Sequence, residues 1–200
     1  MGTTGCWFVT ALPDDSVQMF RQHFTDDQDP DTAEMQWWRG SGGEFPVAEP
    51  LGHWMVNSAE AERFSDLVMC DCGVELWEVL QDLPSIPAEH RFVVSASKSE
   101  PTAALCYGLG PKATDLLPGR FGDFLLTAQE VDAVLPNVEQ ALAITGPRRQ
   151  SVVDRIEAWS AQMVDGGSFC TPELLLDSPL QLFRLAKQER LGLTAFSVSF

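Results

Sequence analysis

Positive charge is scarce in this sequence. Its 200 residues include 13 lysines and arginines against 29 aspartates and glutamates, which gives a formal net charge of −16 at pH 7. A protein with so large a negative charge repels phosphate backbones and anionic lipid headgroups. We therefore expect neither nucleic acid nor a membrane surface among its partners. We expect instead a basic protein or a cationic small molecule.

Long hydrophobic runs are also missing. No stretch approaches the roughly 18 consecutive apolar residues that a membrane-spanning helix needs. Residues 1–6 (MGTTGC) lack the basic and the apolar segment of a secretory signal. The five cysteines are an odd number, scattered over positions 6, 70, 72, 106 and 170, whereas a secreted disulfide framework favours an even, denser set. These absences predict a cytoplasmic protein with reduced thiols.

Recognisable catalytic motifs are lacking too. The glycine-rich residues 40–45 (GSGGEF) are not followed by the Lys-Ser/Thr of a phosphate loop, and no serine stands in a G-x-S-x-G elbow. One residue separates Cys70 from Cys72, whereas zinc sites space paired cysteines by two to four residues. We therefore predict no cofactor and no metal site. Catalysis, and a role for these two cysteines, stay open.

What is present is the composition of a folded domain. Hydrophobic residues make up 44% of the chain and charged residues 21%, and the length suits one domain over residues 1–200. Apolar or alternating runs predict strands, and apolar residues at helical spacing predict helices. The predicted strands are residues 5–10, 91–95, 102–107 and 193–200, and the predicted helices are residues 14–24, a helix after Asn57-Ser58, residues 74–83, residues 147–164 and a last helix opening at Ser178-Pro179.

The order of these elements indicates the fold class. Strands lie at both ends and in the middle of the chain, with helices between them and no regular βαβ alternation. This order favours an α+β fold with a small, mainly antiparallel sheet and helices packed on one side. Thr127 and Glu130 have the spacing of a capping box at the start of a further helix, which Pro136 is expected to kink or break.

Residues 25–57 interrupt the regular pattern and predict a long loop rich in acidic and aromatic side chains. Trp37 and Trp38 are adjacent, so on a strand they point to opposite faces and on a helix they diverge by about 100°. Either one indole is partly exposed or lines a cleft, or the pair anchors the loop to the core. Indole faces beside carboxylates attract cations by about 0.5–2 kcal/mol. The candidate binding residues are Glu34, Trp37, Trp38, Arg39, Glu44, His53 and Trp54.

Several stretches resemble a known family of uncharacterised bacterial proteins, the YfbM-like family. The similar stretches are the opening MGTTGCWF, residues 107–111 (YGLGP), residues 124–131 (FLLTAQEV), and the final basic helix followed by Gly192 and a strand. The resemblance implies an α+β fold and no particular reaction. Residues 25–57 depart from the family, because they contain no match to its early Trp-containing helix.

Two functions fit these features, beside a purely structural domain without a site. In the first, the protein is non-catalytic, and its acidic, Trp-bearing surface engages a basic protein partner as an inhibitor, an immunity-type protein or an accessory factor. In the second, an enzyme acts on a small metabolite, with or without a positive charge, in a Trp-lined cleft, with Glu34, Glu44 or Asp71 as acid or base. A pocket that holds an indole and a carboxyl of shifted pKa favours the enzyme.

Overall fold

The computed structural model describes residues 4–21, 32–69, 85–97, 99–163 and 171–199, and it confirms the α+β fold. The strands are β1 (Thr4–Leu12), β2 (Ala48–Leu51), β3 (Trp54–Asn57), β4 (Arg91–Ser97), β5 (Phe124–Leu126) and β6 (Gly192–Ser199). The α-helices are α1 (Asp14–Arg21), α2 (Ala33–Ser41), α3 (Ala59–Val68), α4 (Pro101–Leu109), α5 (Pro111–Thr114), α6 (Ala128–Leu142), α7 (Gly146–Met163) and α8 (Pro172–Glu189). The strands predicted at 5–10, 91–95 and 193–200 correspond to β1, β4 and β6, and the helix predicted at 147–164 corresponds to α7.

Four strands form the main sheet in the order β4-β1-β6-β5, and each neighbouring pair is antiparallel. The first strand of the chain is central and pairs with the last strand, so that Phe8 lies opposite Phe196. Every residue of β1 after Thr4 is buried. A strand buried on both faces has a continuous apolar run in place of an alternating pattern, and residues 5–10 show such a run.

The helices cover the sheet mainly on one face. Trp7 and Val9 point into the large core, to which α2, α3, α4, α6, α7 and α8 also contribute buried side chains. Cys6 and Phe8 point to the opposite face, where Val17 of α1 joins them in a smaller cluster. The predicted one-sided packing therefore describes the large core, and α1 adds a partial cover on the other face.

Residues 102–107 belong to helix α4, so the strand predicted there is wrong. Every residue from Pro101 to Gly108 is buried, which makes this helix apolar on all sides. A short buried helix and a buried strand produce the same apolar run, and periodicity alone does not separate them. The backbone of Gly108 also approaches α7 closely, since a Cβ at this position would lie 2.5 Å from Cγ1 of Ile156.

Two prolines lie inside helices. The last helix begins at Pro172, directly after its N-cap residue Thr171. The predicted start at Ser178-Pro179 is therefore wrong, and Pro179 lies within α8. Pro136 likewise lies within α6, which continues from Ala128 to Leu142 without a break. Each proline removes one helical hydrogen bond. The apolar faces of α6 and α8 pack against each other and the core, and we infer that this burial outweighs the loss.

The loop predicted at residues 25–57 contains regular structure. Helix α2 begins behind Thr32, whose side chain accepts a hydrogen bond from the backbone N–H of Met35, and β2 and β3 form an antiparallel hairpin. The loop prediction is therefore wrong for these elements. Their local signals are weak because α2 buries only Met35 and Trp38 and the hairpin is largely exposed. Residues 25–31, His23, residues 74–83, Cys70 and Cys72 lie outside the described residues.

Candidate functional site

The two adjacent indoles of α2 have different environments. Trp38 is fully buried, and its ring stacks on Phe64 of α3 with 4.3 Å between the ring centroids. Trp37 is partly exposed and stacks on Phe45, with 5.7 Å between the centroids. The angular step of an α-helix separates the two side chains, so Trp38 anchors α2 to the core while Trp37 lies at its edge.

The exposed face of Trp37 is already covered by a cation of the same chain. The guanidinium carbon of Arg63, on α3, lies 4.3 Å from the centroid of the Trp37 ring. Glu34 accepts hydrogen bonds from Arg63 Nε at 2.5 Å and Arg63 Nη2 at 3.1 Å. These hydrogen bonds lower the pKa of Glu34 and raise that of Arg63. The expected site for a foreign cation on Trp37 and Glu34 is therefore filled internally.

Arg39 and Glu44 also pair within the chain. Arg39 Nε donates to Asp115 Oδ1 at 3.3 Å, and Arg155 Nη1 donates to Glu44 Oε1 at 2.7 Å. The same Arg155 donates to the backbone oxygens of Gly43 and Tyr107. It thereby ties the segment between α2 and β2 to α4, which is a structural role.

A groove of about 580 Å³ opens between the start of α2 and helix α3. We call it the acidic groove, and its lining is Thr32, Glu34, Ala59, Glu62, Arg63, Asp66, Leu67 and Arg120. Glu62 and Asp66 stand one helical turn apart on α3 and are exposed. Arg120 Nη2 donates to the backbone oxygen of Leu67 at 3.2 Å. No indole belongs to this lining, so this groove is not the Trp-lined cleft of the enzyme hypothesis.

His53 and Trp54 lie apart from the groove, at the turn of the β2–β3 hairpin. Trp54 is 78% exposed, Leu51 64% and Met55 59%. Gly52 has a φ of +64° at the first position of the two-residue turn, which suits the tight connection of a hairpin. We call Leu51–Met55 the Trp54 tip, and three of its five residues, Leu51, Trp54 and Met55, are large apolar side chains exposed to solvent.

Ion pairs occupy most of the described cations. The pairs are Arg21–Glu130, Arg39–Asp115, Arg63–Glu34, Arg149–Asp177, Arg155–Glu44, Arg184–Glu139 and Lys187–Asp132. The exposed carboxylates that have no ion pair among the described residues include Glu49 on β2, Glu62 and Asp66 on α3, and Asp154 and Glu157 on α7. Since ion pairs engage most of the described cations and these carboxylates are not among their partners, an external cation can pair with them.

A buried polar cluster lies at the edge of the core. Asp123 Oδ1 accepts a hydrogen bond of 2.7 Å from the backbone N–H of Ser197, and Trp7 Nε1 donates to the Gly122 oxygen at 3.1 Å. Burial raises the pKa of Asp123 to about 8, although the hydrogen bonds from Ser197 oppose the shift. With only 5% of its surface exposed, Asp123 is sealed from a substrate.

The sequence missed Arg63, Arg155, Glu62, Asp66 and Asp123. The acidic spacing of Glu62 and Asp66 on a predicted helix was available as a signal, because residues i and i+4 share a helix face. Each of the two arginines forms its ion pair with a residue that is distant in the sequence, and the residue pattern along the chain does not indicate such pairs. The seven predicted residues do not form one site. Trp38 lies in the core, and Glu34 and Trp37 both contact Arg63. Arg39 pairs with Asp115 and Glu44 with Arg155, while His53 and Trp54 lie in the Trp54 tip.

Two kinds of feature are absent from the part of the chain that the structure describes. No three His, Cys, Asp or Glu side chains stand together as a metal ion would require. None of the helices there combines the length and apolar character needed to cross a bilayer.

Comparison of the chain with protein-family models, curated proteins and solved structures finds no match. The resemblance to the YfbM-like family therefore stays a prediction.

Proposed function

We propose that the protein is a non-catalytic binding protein for a basic protein partner. The observation that carries the proposal is the pairing of its charges: ion pairs engage most of the described cations, while the exposed Glu62 and Asp66 line the acidic groove without such a pair. Arg120 shares that lining, where it donates to the backbone oxygen of Leu67. A surface of this kind attracts Lys and Arg side chains and steers a basic partner toward it.

The acidic groove suits a long cationic side chain. Its volume of about 580 Å³ lies within the usual range of ligand pockets. The aliphatic stem of a partner's Lys or Arg can lie along Leu67 while its charged head meets Glu62 and Asp66. Arg63 stays with Glu34, which keeps that carboxylate ionised and the side chain in place.

The proposed partner defines what kind of activity the protein has. A protein that binds a basic partner without transforming it acts as an inhibitor, an immunity-type protein or an accessory factor. We place this activity in the cytoplasm, where thiols stay reduced. The free cysteines Cys6 and Cys106 support that placement.

The proposal is tested by neutralising the groove acids. We expect Glu62→Gln/Asp66→Asn to bind a dodecalysine peptide about three- to tenfold more weakly than the wild type at about 0.1 M NaCl, because two exposed charge contacts are lost. Titration calorimetry measures the affinity, and circular dichroism verifies that each variant is folded.

The matched control is Asp15→Asn/Glu89→Gln, which removes the same number of exposed charges from α1 and the 3-10 turn before β4. It should bind almost as tightly as the wild type. If both variants lose the same amount of affinity for the peptide, the overall negative charge of the protein explains the binding and the acidic groove does not. A wild type that does not bind the peptide at all would refute the function.

A further inference from the structure

We propose that the Trp54 tip is the apolar anchor of the partner interface, and that it inserts against an apolar surface bordered by Lys and Arg. This inference rests on the proposed function and adds to it the element that recognises the partner. The tip is chosen because its indole is exposed, whereas Trp7, Trp38 and Trp159 are buried.

The hairpin register presents large apolar groups on both faces. Leu51 lies opposite Trp54, and Pro50 lies opposite Met55. Since side chains alternate along a strand, Leu51 and Trp54 project from one face and Met55 from the other. Tryptophan at the centre of an apolar patch is among the side chains that contribute most to binding at protein interfaces.

The base of the hairpin is fixed. The backbone N–H of Ser58, just after β3, donates to the Val47 oxygen at 3.0 Å, and its hydroxyl donates to the Pro46 oxygen at 2.5 Å. Ser58 also caps α3 by accepting from the Ala61 N–H, and β3 contacts α7. A tip held on a rigid base loses little conformational entropy on binding, which favours affinity.

The charge expected of the partner is inferred from the acidic residues nearest to the Trp54 tip and on the neighbouring helix. Glu49 on β2 is exposed, and α7, which packs against β3, carries the exposed Asp154 and Glu157. An apolar anchor close to Glu49, on a protein of net charge −16, is complementary to an apolar surface with a basic border. The same charge opposes two other occupants, because a second copy of the chain and an anionic membrane are both repelled.

Side-chain insertion fits the hairpin better than addition of a partner strand to β2. Pro50 lies in β2 and has no backbone N–H to donate to a neighbouring strand. A proline on an edge strand discourages pairing with another chain. Pairing of a partner strand with the β2 edge is therefore disfavoured, and we place recognition on the exposed side chains of the hairpin.

Two 14-residue peptides of equal charge test the anchor, one built of lysine and leucine as an amphipathic helix and one of lysine and serine. We expect the wild type to bind the lysine–leucine peptide more tightly. Trp54→Ala/Met55→Ala should bind that peptide about tenfold or more weakly, as for loss of an aromatic hot spot, and bind the lysine–serine peptide like the wild type. Trp54→Phe should retain most of the preference.

The matched control is Met19→Ala/Leu174→Ala, which removes two exposed apolar side chains of α1 and α8 and should keep the preference. Equal binding of both peptides by the wild type, or an unchanged preference in the Trp54 variant, would overturn the anchor and leave the proposed function standing. Binding of neither peptide at low salt would overturn both proposals. Two further results would overturn the anchor: a dimer in sedimentation that the Trp54 variant loses, or Trp54-dependent binding to phosphatidylcholine vesicles.

Discussion

Arg63 determines what Trp37 and Glu34 can bind. The two α2 residues are three positions apart and share a helix face, so their closeness could be predicted from the sequence. The cation that covers them belongs to α3, and the sequence gives no sign that α3 packs on this side of α2. The sequence predicts a cation on Trp37 and Glu34, and in the structure the cation at that position is Arg63 of the same chain.

Asp123 is the residue whose ionisation is most altered by folding. Burial raises its pKa from 3.8 to about 8, and the neighbouring charges of Glu100 and Arg120 act in opposite directions on it. The unfolded chain therefore releases this proton near pH 4, while the folded chain holds it to about pH 8. Between those values the free energy of unfolding falls as pH rises, by up to about 1.4 kcal/mol per pH unit.

Asp123→Asn should remove this pH dependence. The amide oxygen can still accept the hydrogen bond from Ser197, and no charge has to be buried at high pH. We expect urea unfolding between pH 5.5 and 8.5 to show the variant gaining stability over the wild type as pH rises. Parallel stability profiles for the two proteins would contradict the assignment of a raised pKa to Asp123.

The helices and strands differ in how much of their structure is locally specified. The capping box of α6 is a short-range signal, and it is present as predicted: Thr127 Oγ1 accepts from the Glu130 N–H, and Glu130 Oε2 accepts from the Thr127 N–H at 2.7 Å. Helix α4 has no such signal, because its apolar run fits a buried strand equally well. Helix α2 and the segment between α2 and β2 are held in place by contacts with Phe64, Tyr107 and Arg155, which sequence periodicity does not reveal.

Thr127→Ala should destabilise the protein by about 1 kcal/mol, since it removes one side of the capping box and leaves a helix N–H without its acceptor. Thr127→Ser keeps the hydroxyl and should remain close to the wild type. Urea unfolding at a fixed pH compares the three proteins. An alanine variant as stable as the serine variant would show that the cap contributes nothing.

At the scale of the whole molecule, the fold class could be predicted from the order of the elements, but the central pairing could not. Strands β1 and β6 come from opposite ends of the chain, and a sequence pattern contains no information on which strands pair. The formal net charge of −16 can be read from the sequence, although the raised pKa of Asp123 keeps one of those carboxyls protonated near pH 7. On folding, most of the described cations form ion pairs. The carboxylates that have no such pair are then available to attract a positively charged partner.

The dependence of dodecalysine binding on salt tests the central claim most directly. Raising NaCl from 0.1 M to 1 M shortens the Debye length from about 10 Å to about 3 Å, so attraction between the exposed carboxylates and the peptide is screened. Titration calorimetry on the wild-type protein should show the Kd rising by at least about tenfold across this range. A Kd that stays constant with salt would contradict the account, because recognition would then not depend on the negative charge of this protein.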